Sequence, residues 1–417
     1  MYKNGFVITS GEKRRIHDGL YGVRYHDPKM TDFGYTLFSS SWSDRAFLMD
    51  MNGLIVHTWN VTHSNVSELH EDGNLFTHNC GGWLEEIAPD GSVLWRWEGE
   101  EWMTTVNHHD YAWVSADEIY SLGAVNEAVR PALYPVGREP DHIRTDVIVR
   151  VNRKKEIVWR FSFTDHFEEL CEMAGLPTPI PYHDPIRMNR PGESPTVPVP
   201  DEVGIPTPCS PDWAHANTIE YLPDTPLGRR DKRFKRGNLL FSLRSIDIIG
   251  VIDPSIDRVV WAWGPGTLDG QHQPTMLPDG NILIFDNGTY RGHSIIREID
   301  PVGGDSIWEY SDPDRFFSPF RSGNQRLPNG NTFICECDAG RLFEVTPEGE
   351  VVWDFYNPFI GEGSHHLGKR MHRAVRYSPS QVEPLLEART DTIVSEVDRN
   401  GRRIDNVRSL LESYRTL

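Results

Sequence analysis

Six times this chain brings a short apolar run to an aromatic pair or near-pair, almost always just past a polar turn. The copies are Ile55–Trp59, Val93–Trp97, Ile157–Phe161, Val259–Trp263, Ser306–Tyr310 and Val351–Phe355. Self-similarity at a few tens of residues marks a repeat architecture, because each unit needs its neighbours to bury its apolar face. The repeated unit here reads as strands, so the expected product is a β-propeller. Propellers gather their chemistry where inner strands converge on a central channel, and the repeat therefore says where functional residues should lie.

Each copy has one internal order. A Leu-Pro-Asp-Gly-Asn type turn leads into an apolar strand, a second strand ends near an acid, and another turn precedes the aromatic strand. The clearest copies run from Gln271 to Tyr310 and from Arg326 to Phe355. Asp-Gly and Asn-Gly between alternating apolar runs are strong hairpin signals, and four strands make a propeller blade. Two wide gaps are insertions, one inside the third blade at about 123–145 and one at 163–212. The second holds a short helix over Asp165 to Ala174 and a Pro-rich run from Pro177 to Pro211, expected as a lid or rim loop. The first blade enters on its second strand, Gly34–Phe38, so Arg373–Tyr377 is expected to supply its missing innermost strand and close the ring. The expected fold is all-β: a six-bladed propeller over 34–379, an N-terminal extension over 1–33 and a helical C-terminal tail over 380–417.

Composition narrows the partners. The net charge is −19 and the longest basic run, Arg229–Arg236, suits a loop cap better than a nucleic-acid footprint. The first residues lack a secretory signal pattern and no stretch is long enough to span a bilayer. The expectation is a cytoplasmic protein that binds neither nucleic acid nor membrane, takes a small anionic substrate and needs no cofactor. Whether it forms a homo-oligomer is left open. The five cysteines show no zinc-type spacing, and Cys335 and Cys337 share one strand face, a geometry poorly suited to a disulfide.

Residues just ahead of each turn should face the channel, and they are rich in histidine. The third blade offers Asn107-His108-His109-Asp110, the fourth His215 and Asn217 with Arg244 on its next strand, the fifth Gln271-His272. The sixth offers Asn324, and the closing strand His372 and Arg373. Strand alternation would put His215 and Asn217 on one face. Asp286 and Asn287, after the strand that follows His272, either back the site or end a strand. Three readings compete: a histidine nucleophile or base with arginine around an anion, a metal held by three histidines, or polar residues that merely hydrate a channel. The metal reading has only Asp110 as a nearby acid.

At these residues the chain resembles the arylsulfate sulfotransferases, the bacterial propeller family that moves sulfuryl groups between phenols without a nucleotide donor such as PAPS. The resemblance spans 34–378 and is carried by Gly34–Phe38, His108-His109-Asp110, Asp212–Asn217, Gln271-His272 ahead of Leu277–Gly288, and Gly323–Asn331. It implies that His272 is the nucleophile and forms a sulfohistidine. His215, Asn217 and Arg244 would hold the sulfuryl oxygens, with His109 or His108 completing the pocket and shuttling the phenol proton. Asn324, His372 and Arg373 are expected to add substrate contacts. The rival enzyme reading is a β-eliminating lyase on a uronate saccharide, with a histidine base and an arginine against the carboxylate. A non-catalytic binding propeller is the third.

Overall fold

A computed structural model gives the fold and describes residues 17, 19–41, 43–79, 82–128, 142–176, 213–359, 369–387, 396–397 and 403–404. The protein is an all-β, six-bladed β-propeller in which five blades are antiparallel four-stranded sheets and the sixth has five strands. Its described residues fall into two compact units. One is drawn from Gly99–Asp314, the other from Glu12–Glu98 together with Arg315–Leu417.

The first unit holds blades three, four and five. Blade three is Tyr111–Ser115, Glu118–Ala128, His142–Asn152 and Ile157–Ser162; blade four is Ala216–Tyr221, Leu239–Leu243, Ile248–Asp253 and Arg258–Trp263. Blade five is His272–Met276, Ile282–Asp286, Ile295–Ile299 and Ser306–Tyr310. The insertion expected in blade three is built partly as an extension of its two middle strands, paired from Glu118↔Asn152 to Ala128↔His142. The helix expected in the second insertion spans Phe167–Ala174 and stops at Gly175 in the left-handed conformation (φ 69°). The run Pro177–Pro211 lies outside the described residues. Blades three and four share a core of Phe161, Phe163, Phe167, Trp213, Ile219 and Phe241. Leu240, Val251, Trp261, Met276, Ile282 and Ile284 join blades four and five.

The second unit holds the other three blades. The first blade takes its opening strand, Met371–Tyr377, from near the C-terminus, paired Tyr35↔Tyr377 and Leu37↔Val375. Gly22–His26 adds a fifth strand to blade six beside Val351–Tyr356, which the repeat pattern does not foretell. After the closing strand, a helix over Pro379–Glu387 buries Val382 and Leu385 among Leu37, Leu69 and Tyr377. Beyond that helix, which the sequence leads one to expect, Glu396–Val397 pairs with Arg403–Ile404.

The turns between strands repeat one geometry. In Leu277–Asn281 the amide of Leu277 donates to the carbonyl of Asn281 (2.8 Å) and Gly280 donates back to Leu277 (2.9 Å). Leu327–Asn331 has the same pair of bonds at 2.8 and 3.0 Å. Gly280 and Gly330 adopt φ of 100° and 91°, where a Cβ is strained, so the glycine is required by the turn itself. No helix among the described residues is long and apolar enough to cross a membrane.

Candidate active site

The sequence-predicted residues of blades three, four and five all belong to the first unit, and the joints between blades put them together. His272 opens the inner strand of blade five and is buried. Its Nδ1 donates to Asn287 Oδ1 at 2.8 Å and lies 3.2 Å from the carbonyl of Gly270. A carbonyl only accepts, so Nδ1 carries the ring proton and Nε2 carries the lone pair. Burial first, and then the charge of Arg244, hold this imidazole well below the ordinary histidine range. His272 is therefore neutral at pH 7, with Nε2 in its nucleophilic form. Asn287 backs the site, while Asp286 pairs instead with Arg297 (2.7 Å) and Arg291 (3.0 Å).

The local chain is shaped to place this ring. Gly270 has φ 73°, and a Cβ there would stand 2.5 Å from Thr289 Oγ1. Its amide donates to Asp247 Oδ1 (2.7 Å). The neighbouring Gln271 side chain is buried and donates to Ser242 Oγ (3.0 Å), the Leu243 carbonyl (3.2 Å) and the Ile248 carbonyl (2.9 Å), fastening blade five to blade four. Asn217, on the inner strand of blade four, returns the link by donating to the Gln271 carbonyl at 2.8 Å, and its Oδ1 accepts from Thr218.

Arg244 does not lie on the strand, as its spacing suggests, but opens a 3₁₀ turn just after it. It is buried, and its amide donates to the carbonyl of His215 (3.2 Å). His215 precedes its strand with φ 48°, and a bulge follows between Ala216 and Thr218. Strand alternation thus does not reach His215: the amide of Asn217 bonds blade five, while the ring of His215 bonds blade three and its charge also bears on His272.

There the His215 Nε2 meets His109 Nε2 at 3.0 Å. His109 also sits at positive φ, 77°, a conformation that costs energy away from glycine and gathers at functional sites. The ring of His108 lies 4.2 Å from that of His109 and 4.9 Å from that of His215, centroid to centroid. Its Nδ1 bonds Asp146 Oδ1 at 2.9 Å, and the other oxygen of Asp146 accepts from the amide of Ala216 at 2.7 Å. Asp146 was not a sequence candidate. The buried Asp110, which was one, accepts from the amide of Ile219 (3.1 Å).

Asn324, His372 and Arg373 belong to the second unit. Asn324 is on the opening strand of blade six opposite Ile334, and His372 and Arg373 are on the closing strand, all three buried. The carbonyl of His372 accepts from the amide of Ser322 at 3.1 Å.

Blades of this kind, with histidine, asparagine and arginine brought together at their joints, define a β-propeller with a polar, partly cationic candidate site. A family model, Arylsulfotransferase (ASST), matches residues 105–358, more than half of the chain, and the chain belongs to that family. Membership makes it a transferase of arylsulfotransferase type. No curated protein matches it. Similar solved structures include a protein of unknown function from Bacteroides caccae, at 13% identity and TM-score 0.46, covering 83% of this chain and 99% of that one. Streptogramin B lyase is similar at 11% identity and TM-score 0.44, covering 81% and 83%. The WD40 propeller domain of Doa1 is similar at 12% identity and TM-score 0.43, over the same shares.

Proposed function

We propose that the protein moves a sulfuryl group from an aryl sulfate to a phenolic acceptor through a sulfohistidine at His272. The observation that carries this is the His272 ring itself: buried, neutral, its Nδ1 proton fixed on oxygen acceptors, and under the field of Arg244. Nε2 attacks sulfur, an N–S bond forms as the S–O(aryl) bond breaks, and the phenolate leaves with the electron pair. The acceptor phenol then attacks the same sulfur, its proton passes to a histidine of the His109–His215 pair, and the N–S bond returns its electrons to Nε2. Arg244 and His215 hold the equatorial oxygens, whose charge is spread in flight, and the second amide hydrogen of Asn217 adds a donor. A covalent intermediate requires ping-pong kinetics.

The test is to incubate purified protein with 4-nitrophenyl sulfate and excess phenol, following nitrophenolate beside a His272→Ala variant. Acceptor-dependent release that disappears in the variant, with parallel lines in double-reciprocal plots, is expected. Folded protein that releases no nitrophenolate, or a His272→Ala variant that releases it unimpaired, overturns the proposal.

A further inference from the structure

We propose that His108, His109 and His215 form a binding site for a divalent ion of the zinc class, at the joint of blades three and four. One ring nitrogen from each of the three lies within 4.8 Å of one from each of the others. The His109 and His215 Nε2 atoms are 3.0 Å apart. Two nitrogens bound to one ion at ~2.0–2.1 Å are separated by about 2.9–3.4 Å, for angles between a right angle and the tetrahedral value. The rings of these two histidines are thus already spaced as a pair of ligands.

The third ligand carries the second observation. Nδ1 of His108 is held by the buried Asp146 carboxylate at 2.9 Å, which places a proton on Nδ1 and makes Nε2 the nitrogen that would ligate. A carboxylate behind a ligating imidazole is the usual outer partner of a bound metal, because it orients the ring and raises its basicity. Asp146 is itself anchored by the Ala216 amide at 2.7 Å, one residue past His215, so a single side chain positions two of the three ligands. Its negative charge also offsets part of the ion's charge against that of Arg244. Three imidazoles select borderline transition metals over Mg²⁺ and Ca²⁺, which take oxygen ligands. They leave one coordination position for water or an anion oxygen, the open arrangement of non-structural zinc.

The site uses neither His272 nor a substrate, but it shares His109 and His215 with the proposed transfer, and an ion there would occupy the lone pairs that take the phenol proton, so the transfer is assayed on metal-free protein. The full-length chain, stripped with EDTA and dialysed into chelator-free buffer, is titrated with ZnCl₂ by calorimetry. One site per chain is expected, and Co²⁺ in place of zinc should give the visible bands of a tetrahedral, nitrogen-ligated ion. His109→Ala and His215→Ala should each lower zinc affinity by at least ~100-fold, beyond the ~10–100-fold expected for losing the outer partner in Asp146→Asn. His272→Ala should bind zinc as the parent does. Zinc should raise the melting temperature of the parent and of His272→Ala but not of His109→Ala or His215→Ala, a readout that survives poor titration behaviour. No saturable binding, or binding that persists in the His109→Ala/His215→Ala double variant, overturns the site. Zinc binding with no nitrophenolate release from the metal-free protein would sink only the transfer reaction, and release without zinc binding only the metal site.

Discussion

A histidine attacks sulfur only while its Nε2 lone pair is bare, and His272 secures this twice, by burial and by the acceptors on Nδ1. The pH dependence follows with its sign. The folded ring protonates below the ordinary histidine value of ~6.5, so log kcat/KM should stay level from neutrality through that pH and fall only beneath it. A pH profile with 4-nitrophenyl sulfate checks this, and an acid limb at or above ~6.5 would refute it. The same burial costs stability in acid, because below ~6.5 the unfolded chain takes up a proton that the folded site refuses. Asn287→Asp sharpens the test. A carboxylate against Nδ1 favours the imidazolium and should raise the acid limb by ~1–3 units, lowering kcat/KM at pH 7 while leaving the high-pH plateau near its parent value. The histidines were legible in sequence because polar rings ahead of apolar strands have no core role. Asp146 was not, because its partner His108 is distant in the chain and it sits among other polar residues at the start of a long strand, where nothing local singles it out.

Elements place these residues by departing from regularity. The inner strands of blades four and five carry bulges at Ala216/Thr218 and His272/Thr275, beside positive φ at His215 (48°) and Gln273 (44°). A bulge turns successive side chains out of strict alternation, so strand parity alone does not fix where His215 points relative to Asn217. The blades themselves were legible, because Asp-Gly and Asn-Gly turns and aromatic strand ends are local signals that each copy repeats. The joints between blades are not local, and Gln271 is the clearest case. Gln271→Leu keeps the volume but strips donors from Ser242 Oγ and from the Leu243 and Ile248 carbonyls. With each buried group left unsatisfied costing ~1–3 kcal/mol, a loss of about 2–5 kcal/mol is expected in urea unfolding. Activity should fall as well, because the next residue is His272. A variant as stable as the parent would mean that this joint is held elsewhere.

For the whole molecule the question is how two chain ends become one fold. The closing strand was legible as the piece missing from the first blade. The strand Gly22–His26 was not, because it joins blade six outside the repeat. Arg376, on the closing strand, ties these parts of the second unit together. Its side chain is fully buried, donates to Thr36 Oγ1 (2.8 Å) and the Asp32 carbonyl (3.0 Å), and pairs with the buried Glu344 at 3.3 Å. The guanidinium carbon also lies 4.8 Å from the ring centroids of both Phe333 and Trp353. Burial outweighs these partners and pulls its pKa down to about 10, still far above neutrality, so Arg376 carries its charge at pH 7. Removing one member of a buried pair strands the other charge at a cost of ~3–5 kcal/mol, whereas removing both is far milder. Arg376→Met should therefore destabilise by about 3 kcal/mol or more, less whatever the Asp32 amide and Asn331, both at 2.7 Å, still give Glu344. Arg376→Met with Glu344→Gln should recover much of that loss in thermal or urea unfolding. Should the double variant instead be as unstable as the sum of the singles, the stacking on Phe333 and Trp353, and not the ion pair, is what seals the closing strand to blade six.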